Sequence, residues 1–245
     1  LNVVAGHAVG ELGAARVRAR RPGTGVDAIR HELHMVREMR DLLVRNDPFR
    51  PEAVADLAES VARLGVAGSV LEGAELAALG AALMSMRVVG GELKRIAGSA
   101  PSAAALATDL PPRDLEREIL RALDPDGTVR DDASPALKRA RERVRETRAR
   151  LVRLLEELVR RLELADRSSD ASVTVRNGRY VVPIRRDARS RFRGIVHGES
   201  GSGATLFVEP QDAVELGNDL SVSEAEESRA VLQVLRDLSE RARVH

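Results

Sequence analysis

Apolar residues recur at helical spacing through the first half of the chain. In Val26–Arg45 they follow each other at steps of three and four residues, at Ile29, Leu33, Val36, Met39 and Leu43. This spacing favours an amphipathic helix. The same reasoning predicts helices over Leu1–Arg21, Glu52–Leu64, Glu72–Gly98 and Asp114–Leu123. Breaks that contain proline follow Leu1–Arg21 and Val26–Arg45. The whole stretch predicts a helical core domain over residues 1–132.

The longest predicted helix begins at Ser134-Pro135, where Ser suits the N-cap and Pro the first helical position. Its apolar residues repeat every seven positions, at Leu137, Val144, Leu151 and Leu158, and the intervening face is filled by Leu154, Leu155 and Leu162. A helix from Ala133 to Ala165 would be about 50 Å long. Because so long a helix gains most of its stability from packing, we expect a partner helix along this heptad seam.

The period changes from helix to strand over Ala171–Glu209. Val173–Val175, the turn pair Asn177-Gly178 and Tyr180–Ile184 form a hairpin pattern, and two more strands are predicted at Gly194–Val196 and Thr205–Val208. A helical pattern returns from Gln211 to the end of the chain. We therefore predict a mainly α chain with a small antiparallel β insert. The arrangement is a helical core (1–132), an outgoing helix (133–170), a β-rich tip (171–210) and a returning helix (211–245), the two helices forming an antiparallel arm.

Charge is balanced over the whole chain but not within the β-rich tip. The formal net charge is +1, which predicts no global attraction to nucleic acid. Between Ala171 and Glu209, however, the sequence contains seven arginines and only three acidic residues. The arginines are Arg176, Arg179, Arg185, Arg186, Arg189, Arg191 and Arg193. These seven are candidate phosphate contacts, and the alternative interpretation is a solvated basic loop.

Three of the four aromatic residues also lie in the tip, at Tyr180, Phe192 and Phe207. Packing in a small sheet core explains them better than base stacking, which needs exposed rings in series.

Composition excludes several classes of site. Cysteine is absent, so disulfides and thiolate metal sites are excluded and a cytoplasmic protein is allowed. No apolar run reaches the roughly 18 residues of a membrane span, and no signal peptide is evident. The histidines do not form a metal-binding pattern, and His31 and His34 are expected to be a surface pair. Because the chain begins and stops within helical patterns, we interpret it as an excised piece of a longer protein.

The sequence offers little support for catalysis in this chain. No GxxxxGK[ST] phosphate-binding loop occurs, and the glycine-rich segment Gly198–Gly203 lacks a following lysine, which favours a turn between strands. His197, Glu199, Ser200 and Ser202 could be combined into a hydrolase site. The GxSxG elbow fails, however, because Ser202 stands where the closing glycine is needed. We expect neither catalytic residues nor a metal site.

Three motifs carry a resemblance to a known family. They are VRNGRYVVPIRR at Val175–Arg186, GIVHGESGSGATLFVEP at Gly194–Pro210 and VELGNDL at Val214–Leu220. Together they resemble the clamp region of the second bacterial branch of the MutS family, MutS type two. The similarity extends over the whole chain. A departure lies at Gly217-Asn218, where the family often has two asparagines.

The resemblance implies a function for the parts predicted above. Residues 1–132 would be the core, the two long helices the levers, and residues 171–210 a clamp whose seven arginines grip the backbone of duplex or branched DNA. Full-length relatives add an ABC-type ATPase, which uses ATP and Mg, and usually an Smr nuclease domain. They are described as suppressing recombination and acting on stalled ribosomes. The resemblance thus implies DNA as a partner, a homodimer in the full-length protein, and no cofactor in this chain.

Other functions stay open from the sequence. The same basic tip could contact ribosomal RNA during ribosome rescue, or the heptad seam could form a coiled coil between chains. A stand-alone hydrolase ranks last. We expect a cytoplasmic location and no membrane partner.

Overall fold

The structure, a computed structural model, describes residues 1–107, 113–161 and 172–244. It divides into two compact units, one formed by Leu1–Ala133 with Gln233–His245 and the other by Ser134–Leu232. Helices predominate, and the strands form one small antiparallel sheet. The predicted fold class is therefore confirmed, whereas the four-part domain division stays a prediction.

Short helices and two long ones build the first unit. They are α1 (Asn2–Ala5), α2 (Glu11–Arg18), α3 (Val26–Val44), α4 (Ala58–Leu64), α5 (Gly73–Arg95), α6 (Pro101–Ala104) and α7 (Arg113–Ala122). The single helix predicted from residue 1 to residue 21 is wrong, because Gly10 is extended and serves as the N-cap of α2. The helix predicted from residue 52 starts only at Ala58, whose amide donates to the Asp56 side chain at 3.0 Å.

An apolar cluster joins α3, α5 and α6. Its buried members are Leu42, Leu93, Ile96, Ala100 and Ala103. The buried Glu38 of α3 satisfies the start of α6, because its carboxylate accepts hydrogen bonds from the Ser102 and Ala103 amides at 3.1 and 3.0 Å. Burial would raise the pKa of Glu38, but these two amides, with His34 nearby, bring the pKa below its usual value.

Helices α5 and α7 pack closely where a glycine removes the side chain. A Cβ placed on Gly80 would lie 2.6 Å from Cγ2 of Ile119, which is fully buried. The same two helices are joined by a bidentate ion pair in which Arg87 donates to the buried Glu116 at 2.9 to 3.2 Å.

Among the described residues, α5 is the one helix whose length and composition would allow it to cross a membrane. This is weak evidence, because core helices meet the same criteria. Six of its residues are buried, among them Leu76 and Leu93, and Glu75 and Arg87 interrupt the apolar run. The finding is compatible with the predicted absence of a membrane span.

In the second unit, the strands of the sheet come between two long helices along the sequence. Its elements are α8 (Pro135–Arg161), β1 (Thr174–Arg176), β2 (Arg179–Arg185), a 3-10 helix (Arg186–Arg191), β3 (Gly194–Glu199), β4 (Thr205–Pro210), a 3-10 turn (Gln211–Ala213) and α9 (Val214–Val244). Residues 214–232 of α9 belong to this unit. Ser134 caps α8 as predicted, its Oγ accepting from the Leu137 amide at 3.1 Å. The predicted continuation of this helix to Ala165, with Leu162, and the first residue of the predicted tip lie outside the described residues.

The sheet has the strand order β1-β2-β4-β3, and all neighbours are antiparallel. The β1–β2 turn is the predicted Asn177-Gly178 pair, in which both residues have positive φ values of 50° and 74°. The β3–β4 register shifts between Val196 and Gly198, which leaves His197 as the extra residue of a bulge.

The heptad seam of α8 is buried within its own unit. Val144, Leu151 and Leu155 form a cluster with strand residues of β2 and β4 and with Leu220 of α9. Ion pairs also join α8 to α9, at Arg141–Glu227 (3.0 Å), Arg143–Glu226 (2.7 Å) and Arg148–Glu224 (2.9 Å). The expected partner along the seam is therefore the sheet together with a helix of the same chain.

Candidate nucleic-acid interface

Arg179 belongs to a buried charge network rather than to an open surface. Its Nη1 lies 3.4 Å from Oε1 of Glu209, and Nε2 of His197 lies 2.7 Å from the other carboxylate oxygen. The Glu209 side chain is 4% exposed, so its charge requires these two partners. The Asn177 amide donates to the backbone oxygen of His197 at 3.2 Å and ties the β1–β2 turn to the bulge.

Gly217 of α9 leaves room for this network. A Cβ at that position would lie 2.8 Å from Oε1 of Glu209 and 3.1 Å from Nη1 of Arg179. A larger residue at this position would therefore require the Glu209 carboxylate to shift.

Arg186 and Arg189 hold the turns around the sheet. Arg186 donates to the Gly203 carbonyl at 2.6 Å and pairs with Glu199, which links the segment after β2 to the β3–β4 turn. Arg189 is partly buried and donates to the carbonyls of Phe192 and Gly194 at 2.8 and 3.1 Å. Both residues are committed to backbone oxygens of the tip itself.

Arg185, Arg191 and Arg193 are exposed. Arg185 forms a two-pronged pair with Asp187 at 3.1 and 2.7 Å, and both side chains are more than half exposed. Hydrogen bonds from Arg185, with Arg191 nearby, lower the pKa of Asp187. Within residues 1–107, 113–161 and 172–244, the Arg193 side chain has neither an ion pair nor a hydrogen bond. Surface pairs such as Arg185–Asp187 contribute little to stability.

Arg176 occupies a different environment from the other six arginines. Its guanidinium carbon lies 4.5 Å from the centroid of the Phe207 ring. Arg176 is on β1 and Phe207 is on β4, so the side chain crosses β2 to reach the ring. Tyr180 and Phe192 instead pack against the apolar cluster, as predicted, and Phe207 is not part of that cluster.

The residues considered for a hydrolase site, from which no catalysis was expected, have other partners. His197 faces Glu209, whereas Oγ of Ser200 accepts from the Thr205 amide at 3.1 Å and lies 3.3 Å from Oγ of Ser202. Ser200 and Thr205 close the turn between β3 and β4, since the Ser200 amide also donates to the Thr205 carbonyl. The glycine-rich segment is thus the turn that its sequence predicted.

No group of three or more His, Asp or Glu side chains in the described part of the chain could hold a metal ion. His34 lies 3.2 Å from Glu38 and remains mostly exposed.

Comparison with known proteins gives a consistent family. No family model matches the chain. It is 43% identical over 246 residues to Endonuclease MutS2 of Gemmatimonas aurantiaca, and 35% identical over 251 residues to Endonuclease MutS2 of Geobacillus thermodenitrificans. A third relative, Endonuclease MutS2 of Bacillus velezensis, is 32% identical over 246 residues. These alignments cover 98 to 99% of the chain. The chain is thus similar to MutS2 proteins over nearly its whole length.

The chain spans only 30 to 31% of the length of these MutS2 relatives. The name endonuclease belongs to proteins that are about three times as long as this chain. The MutS2 matches therefore agree with the resemblance found in the clamp motifs. They do not test the role of any individual arginine.

Proposed function

We propose that the β-rich tip contacts the phosphate backbone of duplex or branched DNA without catalysing a reaction on it. The observation that carries this proposal is the exposure of Arg185 and Arg193 in a chain that matches MutS2 proteins over nearly its whole length. Arginine side chains bind phosphates without reading sequence, so these contacts would supply affinity and orientation.

The register of the sheet supports contacts with separate phosphates. Arg185 pairs with Thr205 at the start of β4, and the Arg193 carbonyl accepts from the amide of Gln211, just past its end. Six residues of strand separate the two positions by about 20 Å. The two arginines therefore cannot bind the same phosphate. They can bind two phosphates at separate positions along a backbone.

The test is the salt dependence of binding to a labelled duplex and to a four-way junction. We expect the double variant Arg185→Ala, Arg193→Ala to weaken both complexes and to reduce the log–log salt slope by about 1.8, since each duplex contact contributes about 0.9. The matched control is Arg150→Ala, Arg153→Ala on α8, which removes the same charge from exposed positions of the same unit. This control should bind as the parent does. A loss confined to the α8 variant would contradict the proposal.

We propose a non-catalytic role for the chain within a larger protein. The endonuclease named in the relatives, and an ATPase using ATP and Mg, would reside in the two-thirds of those proteins that the chain does not match, and a homodimer would be a property of the full-length protein. The two long helices would act as levers between the tip and the core. Introducing the Arg185, Arg193 double variant into the full-length protein should raise recombination frequency in cells while leaving its ATPase rate without DNA unchanged.

A further inference from the structure

Phe207 is the aromatic residue that the apolar cluster of the second unit does not use. It lies on β4, opposite Pro183 of β2 on one side and Gly198 of β3 on the other. Because cross-strand partners share a face, these residues flank the ring on one surface of the sheet. Its sequence neighbours Leu206 and Val208 point to the other surface, where both are buried in the cluster.

The side of the ring next to β3 is open. A Cβ placed on Gly198 would meet no atom within 4 Å. Gly201, at the end of the same hairpin, is equally unobstructed. A planar group can therefore approach Phe207 from this side without displacing a side chain of the described residues.

The cation above the ring has no acidic partner. Arg176 is exposed, and within the described ranges it makes neither an ion pair nor a hydrogen bond, in contrast to Arg179, which Glu209 neutralises. A guanidinium placed over an aromatic ring keeps its outer side and its N–H groups for a ligand. A nucleotide offers a planar base and a phosphate, which complement these two groups.

We propose that Arg176 and Phe207 form a stacking site for one unpaired nucleotide of single-stranded DNA. The base stacks on the Arg176–Phe207 pair in the space beside Gly198, and the phosphate accepts from the Arg176 guanidinium. The inference rests on the proposed DNA-binding function and adds a substrate class to it, since a displaced strand supplies unpaired nucleotides and an intact duplex does not.

The experiment measures affinity for oligodeoxythymidylate, for the same strand with abasic positions, and for duplex DNA. We expect Phe207→Leu to weaken binding to the intact single strand at least about 5-fold, in line with the loss of one stacked base. Because Arg176 and its charge remain, the salt slope should not change. Duplex binding should also stay at the parent level.

Two comparisons distinguish stacking from a structural effect. Phe192→Leu makes the same chemical change at a ring that packs on the apolar cluster, and it should leave the single-strand preference intact. Phe207→Tyr retains the ring and should retain the affinity. On the abasic strand, the parent and Phe207→Leu should bind equally.

The proposal is overturned if Phe207→Leu leaves single-strand affinity unchanged, or if it weakens the abasic strand and the duplex to the same extent. Failure of the backbone proposal looks different, because the Arg185, Arg193 double variant would then bind duplex DNA like the parent.

Discussion

Gly127 shows how one residue can join a turn to a helix. Its φ is +86°, and a Cβ there would lie 2.2 Å from the backbone nitrogen of Ala74, at the start of α5. Gly73 is equally close from the other side, since its own Cβ would lie 2.0 Å from the Gly127 carbonyl oxygen. Glycine is therefore needed at both positions, for the conformation at one and for the close approach at both.

We predict that Gly127→Ala lowers the free energy of unfolding by about 3 kcal/mol or more, because left-handed strain adds to a clash with rigid backbone. The control is Gly68→Ala in the same unit, where φ is +80° but no atom lies within 4 Å of the added Cβ. That variant should cost only about 1 kcal/mol. Urea unfolding followed by circular dichroism measures both, and equal losses would show that the close approach does not matter.

At the scale of elements, α5 and α7 illustrate what the sequence could and could not predict. Sequence patterns predicted both helices to within one to three residues at each end. They did not predict that Gly80 would lie against Ile119, because a glycine inside a helical pattern has no periodic signal and its value depends on a distant partner. Helix existence follows from local pattern, whereas packing depends on tertiary contacts.

Two glycines of α5 make this contact testable. Gly91→Ala should stabilise the chain by about 0.5–1 kcal/mol, because alanine has the better helix propensity and nothing lies within 4 Å of the new methyl. Gly80→Ala gains the same propensity but pushes a methyl into the buried Ile119, at a cost of about 1–3 kcal/mol. Melting temperatures should therefore move in opposite directions. A rise in both would mean that α7 moves away freely.

The ion pair between α5 and α7 predicts a pH dependence. Hydrogen bonds from Arg87 lower the pKa of Glu116 from its ordinary value of 4.5, against the opposing effect of burial. A lowered folded-state pKa means that the stabilisation is complete above about pH 4.5 and is lost as pH falls through the folded value. Glu116→Gln should therefore be less stable than the parent at pH 7 and should lose less stability on acidification. Unfolding curves at several pH values test this, and parallel pH profiles would contradict it.

For the molecule as a whole, balanced charge limits how strongly salt can affect DNA binding. The net charge is +1, and Arg179, Arg186 and Arg189 are committed to internal partners. Even if the other four arginines of the seven all contacted phosphates, the log–log salt slope on duplex DNA would be about −3.6 or shallower. Titrations at increasing potassium chloride concentrations measure it. A slope near −6 would indicate that further cations outside the tip take part.

The seven arginines also show where prediction from sequence ended. Alternation and turn residues predicted the strands and the Asn177-Gly178 hairpin, since both signals are local. They could not separate Arg179, neutralised by Glu209 thirty positions later, from Arg193, which is exposed. Local charge counts identify a basic segment, and only the cross-strand register decides which of its charges are compensated.

The ion pairs between α8 and α9 have a consequence for assembly. In all three, the arginine belongs to α8 and the glutamate to α9. Two copies of α8 laid side by side would bring Arg141, Arg143 and Arg148 against like charges, whereas α9 offers them carboxylates. Because the arginines lie on α8 and the glutamates on α9, these ion pairs favour packing of α8 against α9 of the same chain. They disfavour packing of α8 against α8 of a second chain.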